Sequence, residues 1–217
     1  MSARDNILAR IRARQGKAAA PTAAEREAVS AHLAVHSQNA RPRADWEPAA
    51  RFREQALRLS STVADAHTAA AVPAAVARYL DACGLPRAAV CWQALMNLDW
   101  AGAGLTVEPR AARDGDLVGI TGAFCAIAET GTLMTVSGEH TPATVSLLPE
   151  THIAVVPESR IVRGMEEAWR LLREELGAPP RAVNFISGPS RTADIEQTVT
   201  LGAHGPYRVH IILMQGA

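Results

Sequence analysis

Two short stretches concentrate the residue types that can do chemistry. The first, Gly119–Met134, reads Gly-Ile-Thr-Gly-Ala-Phe-Cys-Ala-Ile-Ala-Glu-Thr-Gly-Thr-Leu-Met, and Glu129 is its only charge. An ionised carboxylate among apolar strand residues is costly unless it is paired. Glu129 is therefore expected either to cap a turn between two hairpin strands or to face a cleft. In a cleft it would suit acid–base or nucleophilic work. Thr130, Gly131 and Thr132 follow it. They offer two hydroxyls and, at the glycine, close backbone approach to a ligand.

The second stretch, Asn184–Pro206, carries Ser187, Gly188, Ser190, Arg191, Thr192 and Asp194, then His204 between two glycines. Hydroxyls, free N–H groups and a guanidinium where a helix begins make an anion site for phosphate or carboxylate. Asp194 and Glu196 open a second reading. In the first helical turn they would satisfy the helix dipole themselves, or pair with Arg191. His204 has the chemistry to titrate near neutrality, but a turn histidine also serves as a hydrogen-bonding fixture.

These residues need elements to hold them. The spacing of Phe52, Ala56, Leu59 and Val63 predicts a helix from an N-cap at Asp45 to about Ser60. A second helix is expected over about 70–83, stopped by Gly84 and Pro86, and a third over Gly164–Leu176, stopped by Gly177 and Pro179. Short apolar runs predict strands near 87–92, 105–107, 117–121, 125–128, 132–136, 152–156, 182–186 and 207–213. Helices between such strands predict an α/β fold: a Rossmann-like parallel or mixed sheet with helices on both faces. Ligands in such sheets sit beyond the carboxyl ends of the strands.

Residues 1–44 read as an arm with short helices near 4–15 and 24–36, and 45–217 as the compact domain. The arginine-rich start is expected to be a solvated basic helix rather than a transit peptide. Lysine plus arginine equals aspartate plus glutamate, 22 each, which gives no sign of a nucleic-acid surface. No run of about 18 apolar residues predicts a membrane span. Cys83, Cys91 and Cys125 lack iron–sulfur spacing and fit reduced thiols in the cytoplasm. His32 and His36 lack a third ligand, so no metal is expected there. Dinucleotide and Walker phosphate motifs and the hydrolase elbow are all missing.

Three segments carry a resemblance: Gly119–Thr132, Leu147–Val156 (Leu-Leu-Pro-Glu-Thr-His-Ile-Ala-Val-Val) and Asn184–Glu196 (Asn-Phe-Ile-Ser-Gly-Pro-Ser-Arg-Thr-Ala-Asp-Ile-Glu). In this order they resemble the lactate-utilisation (LUD) domain family, from about Asp45 to the C-terminus. The resemblance implies a fold like the glucosamine-phosphate deaminase, ribose-phosphate isomerase and coenzyme A transferase group. It also implies a bacterial cytoplasmic role in oxidising L-lactate to pyruvate beside two iron–sulfur partner proteins. Those partners would hold the clusters, and this chain would carry no cofactor. Ala128-Glu129-Thr130-Gly131 is similar in spacing to the Ser-Glu-Asn-Gly of coenzyme A transferases, whose glutamate is the nucleophile, but it lacks the Ser and Asn. The alternative function is thus a transferase- or isomerase-like enzyme using Glu129 with a phosphate or thioester ligand.

Overall fold

The computed structural model describes residues 2–18, 20–38, 40–41, 43–193 and 200–215. It comprises two units, Met1–Arg43 and Ala44–Ala217. The first contains helices α1 (Ala3–Arg14) and α2 (Ala23–Val35), opened by capping boxes at Ser2/Asp5 and Thr22/Glu25. Neither helix buries a residue. None of the described helices is long and apolar enough to cross a membrane.

The second unit opens with helix α3 (Pro48–Arg58). Its cap is Glu47 rather than Asp45: the Glu47 carboxylate accepts from the N–H groups of Ala49 and Ala50 at 2.9 and 2.6 Å. Proline at the first helical position suits this start. Ser60 adopts a left-handed conformation, φ 68°, and the helix stops there. Val63, which had matched the helical spacing, lies instead in strand β1 (Thr62–Ala66) and pairs with Ile211.

A six-stranded parallel sheet follows. It contains β1, β2 (Ala88–Cys91), β3 (Thr106–Pro109), β4 (Val118–Gly122), β7 (Thr151–Pro157) and β12 (Arg208–Met214), in the order β1-β12-β7-β4-β2-β3. β7 is buried from Thr151 to Val156, as expected of a central parallel strand covered on both faces. On one face Ile120, Ile153, Val155 and Ile212 pack against Val72, Val76 and Leu80 of α4 (Val72–Ala82).

The opposite face is shared by α3 and a second sheet. This sheet has β5 (Cys125–Ile127), β6 (Thr132–Val136), β8 (Ile161–Val162) and β9 (Val183–Ile186), ordered β8-β5-β6-β9. Ala126 and Leu133 from it meet Val156, Ile211 and Leu213 of the large sheet, with Phe52 and Ala56 of α3 completing the layer. Helix α6 (Met165–Leu176) covers the outer side, placing Ala168 and Leu172 on Cys125, Ile127 and Met134. The short helix α5 (Thr144–Leu147) packs on Gly119, where an added Cβ would lie 1.9 Å from the Val145 carbonyl oxygen.

Two histidines are buried in the large sheet. His152 Nε2 lies 2.7 Å from Thr121 Oγ1. His210 Nδ1 lies 2.8 Å from Thr62 Oγ1, and Tyr79 stacks on its ring at 3.8 Å. Burial pushes both imidazoles down to about 4. In the unfolded chain they titrate near ~6.5, so as pH falls from there to about 4 the unfolded state takes up protons that the fold does not. Stability is thus full above about pH 6.5 and falls on acidification, by on the order of 3 kcal/mol for each histidine. Urea denaturation at pH 7.5 and 4.5 should show this drop. A His210→Phe variant, which keeps a ring under Tyr79, should show a smaller one.

Candidate functional site

The two chemical stretches meet at helix α3. Ile127 and Thr132 are paired residues of β5 and β6, so residues 128–131 form the hairpin loop. The Gly131 N–H closes it on the Ile127 carbonyl at 2.9 Å. The Glu129 N–H donates to the Arg163 carbonyl at 2.9 Å, extending the β5–β8 pairing. Glu129 therefore stands in the turn between the two hairpin strands, where its backbone rather than its carboxylate makes the bonds. Its side chain is half-buried, and no described residue donates to its carboxylate.

Gly131 makes its close approach to α3, not to open space. At φ 67°, an added Cβ would sit 2.5 Å from the Ala56 amide nitrogen and 2.6 Å from the Gln55 carbonyl carbon. Gly188 repeats the arrangement one turn later. Its φ is 79°, and a Cβ would meet the Leu59 carbonyl oxygen at 2.3 Å. Both glycines are thus positions where only a bare Cα lets a loop lie on the helix backbone.

Between them runs a row of hydroxyls. Thr130 Oγ1 lies 2.7 Å from Thr132 Oγ1, which lies 2.8 Å from Ser187 Oγ. Thr130 and Ser187 are exposed, while Thr132 is buried. The row is built by strand pairing: β6 and β9 are antiparallel neighbours with Leu133 opposite Ile186, which brings Thr132 beside Ser187.

Arg191 completes the group. Its Nη2 donates to the Leu59 carbonyl at 2.8 Å and to Ser60 Oγ at 2.6 Å. The guanidinium therefore caps the C-terminal end of α3, whose carbonyls carry partial negative charge. Among the described residues Arg191 bonds only through Nη2, and the residue is exposed.

The rest of the second stretch differs from expectation. Arg191–Thr192 is strand β10, paired antiparallel with β11 (Thr200–Leu201), where the start of a helix was expected. The Ser190 N–H is not free for an anion: it donates to the Pro206 carbonyl at 2.8 Å. Thr192 is half-buried and already engaged. His204 is exposed in the turn after β11. Asp194 and Glu196 lie outside the described residues.

The group also sits at an unexpected edge. Leu59 and Ser60 immediately precede β1, and Pro206 precedes β12. The Ser187–Arg191 turn thus borders the amino ends of those strands, not the carboxyl ends where ligands of such sheets usually lie. Sequence reasoning missed Leu59 and Ser60 as its partners. The helix end was expected near Ser60, but nothing in the sequence joins it to Arg191, 131 residues further along the chain.

Residues 110–214 match the model of the LUD domain. The chain is 36% identical over 134 residues to the lactate utilization protein C of Bacillus velezensis and to that of Bacillus subtilis. Each match covers 56% of this chain and 56% of the relative, so the chain spans about half the length of the curated relatives it matches. The lactate utilization protein C of Halalkalibacterium halodurans is 41% identical over 101 residues, 45% of this chain and 44% of that protein. A crystal structure of a DUF162 family protein from Deinococcus radiodurans superposes with a TM-score of 0.59 at 26% identity, covering 80% of this chain and 99% of that one. Residues 110–214 thus carry a similarity to the LUD-domain family.

Proposed function

We propose that the protein serves lactate utilisation as a non-redox component, binding lactate or pyruvate at the Thr130–Thr132–Ser187 row beside Arg191. The observation that carries this reading is the convergence of both stretches on α3: hydroxyls of Thr130, Thr132 and Ser187 stand in one row, the adjoining Gly131 and Gly188 lie on the α3 backbone, and the Arg191 guanidinium caps the end of that helix. A 2-hydroxy acid presents a hydroxyl and a carboxylate, and a hydroxyl row with a guanidinium complements both. The α3 terminus carries about half a negative charge against the full positive charge of Arg191, so the outer side of the guanidinium stays attractive to an anion. The similarity to proteins named lactate utilization protein C supports the choice of ligand.

In this reading the redox centres belong to iron–sulfur partner proteins, this chain holds no cofactor, and the complex works in the bacterial cytoplasm. A tagged copy should recover those partners from lactate-grown cells, and a deletion strain should grow poorly on L-lactate while growing normally on pyruvate. Normal lactate growth of the deletion strain, with no partner recovered, would sink the proposal.

One observation favours a second reading, an independent transferase- or isomerase-like enzyme. The Glu129 carboxylate is half-buried with no donor among the described residues, beside the row at Thr130. A carboxylate in that state can act as nucleophile or general base on a phosphate or thioester ligand. Glu129→Gln should then abolish turnover of such a ligand with the unfolding midpoint unchanged. Full turnover by the variant would rule this reading out.

A further inference from the structure

The zero net charge of the chain conceals an asymmetry. Residues 1–43 carry eight Lys/Arg against three Asp/Glu, a net charge of +5, and the remaining residues carry the compensating −5. Within that basic unit the two helices leave their aliphatic side chains outside: Ile7 is 58% exposed, Ile11 47%, Val29 59% and Leu33 63%. Helices of 12 and 13 residues with no buried side chain have little to stabilise them, because most helical stability in proteins comes from packing an apolar face.

The two helices nonetheless enclose a groove of about 600 Å³, floored by Leu8, Ile11, Pro21 and Val29. Its rim is cationic: Arg12, Lys17 and Arg26 line it with one acid, Glu25. Hydrogen bonds fix two of the rim cations to the turn, Arg12 to the Ala18 carbonyl at 3.3 Å and Arg26 to the Pro21 carbonyl at 2.8 Å. Glu25 is already engaged, accepting from the Thr22 N–H at 2.9 Å with Lys17 Nζ at 3.6 Å.

We propose that this groove receives one amphipathic helix with acidic flanks from a partner protein, completing a three-helix bundle. Two stripes with residues three and four apart, Ile7/Leu8/Ile11 and Val29/Leu33, need a third apolar stripe to cover both, and a helix is the smallest element that supplies one. The cationic rim selects carboxylates on its flanks. A membrane fits less well. Arg4 and Arg14 fall, by helical spacing, on the same side of α1 as Ile7 and Ile11, so α1 lacks the segregated polar and apolar faces that lie flat in a bilayer interface. This proposal does not depend on the reading of Arg191.

The test uses the full chain and two labelled synthetic helical peptides of identical leucine spacing, one flanked by glutamates and one by lysines. Fluorescence anisotropy should show saturable 1:1 binding of the glutamate peptide alone, weakening about tenfold between 50 and 300 mM salt. Ile11→Asp and Val29→Asp alter exposed residues on different helices. Each should abolish binding while far-UV circular dichroism and the thermal midpoint stay unchanged. Equal binding of the lysine peptide, unchanged binding by both variants, or binding only to phosphatidylserine vesicles would overturn the proposal. So would a groove occupied by a second copy, seen as twice the 23.0 kDa chain mass in light scattering and abolished by the same variants.

Discussion

Replacing Gly131 with alanine should destabilise the protein by about 3 kcal/mol or more, enough to leave little native state in a marginally stable domain. Two costs add. A non-glycine residue at φ 67° costs about 1–2 kcal/mol. The new methyl also drives into the backbone of Gln55 and Ala56 at 2.5 to 2.6 Å, where no side chain can swing away, and overpacking of this kind costs about 1–3 kcal/mol. Gly84 separates the two costs. It shares the positive φ, at 64°, but has nothing within 4 Å of its would-be Cβ. Gly84→Ala should therefore cost only about 1–2 kcal/mol. Urea denaturation of both variants measures the difference. Equal losses would mean that the hairpin does not bear on α3.

The second large effect is expected at Arg191. Arg191→Ala removes two hydrogen bonds to the end of α3, worth about 0.5–1.5 kcal/mol each. On the proposed reading, the same substitution should weaken L-lactate binding at least tenfold, since it also removes the cation assigned to the carboxylate. The two effects can be told apart. Arg191→Lys keeps a charge but loses the fork geometry, so it should keep part of the affinity. Ser60→Ala removes one anchor of Nη2 and should touch stability while leaving affinity near that of the parent.

Much of the fold is legible in local pattern. The helix at Met165–Leu176 is written in Ala168, Leu172 and the terminating Gly177, and the central strand in the apolar run from Ile153 to Val156. What sequence hides is which sheet a strand joins. β4 and β5 are separated only by Ala123 and Phe124, and both are buried runs, yet they belong to different sheets. Nothing in their residue types marks the change, because a strand between two covered faces reads as apolar in either layer.

The candidate site follows the same rule. Glu129, Thr132, Ser187 and Arg191 stand out by residue type in otherwise apolar surroundings. That Thr132 touches Ser187 rests on β6–β9 pairing, 55 residues apart in the chain. The meaning of the glycines changes most. By sequence they are places for a ligand to approach, whereas in the fold Gly131 and Gly188 are where two loops lie on the backbone of α3. The same contacts that brace the site also fix its distance from that helix.

Calorimetric titration of the full chain with L-lactate tests the central claim most directly. The account predicts saturable 1:1 binding, lost or weakened at least tenfold in Arg191→Ala and in Thr132→Val, and retained in Ser60→Ala. Binding that is equally strong in Arg191→Ala and Thr132→Val, or no binding by the parent chain at millimolar lactate, would contradict it.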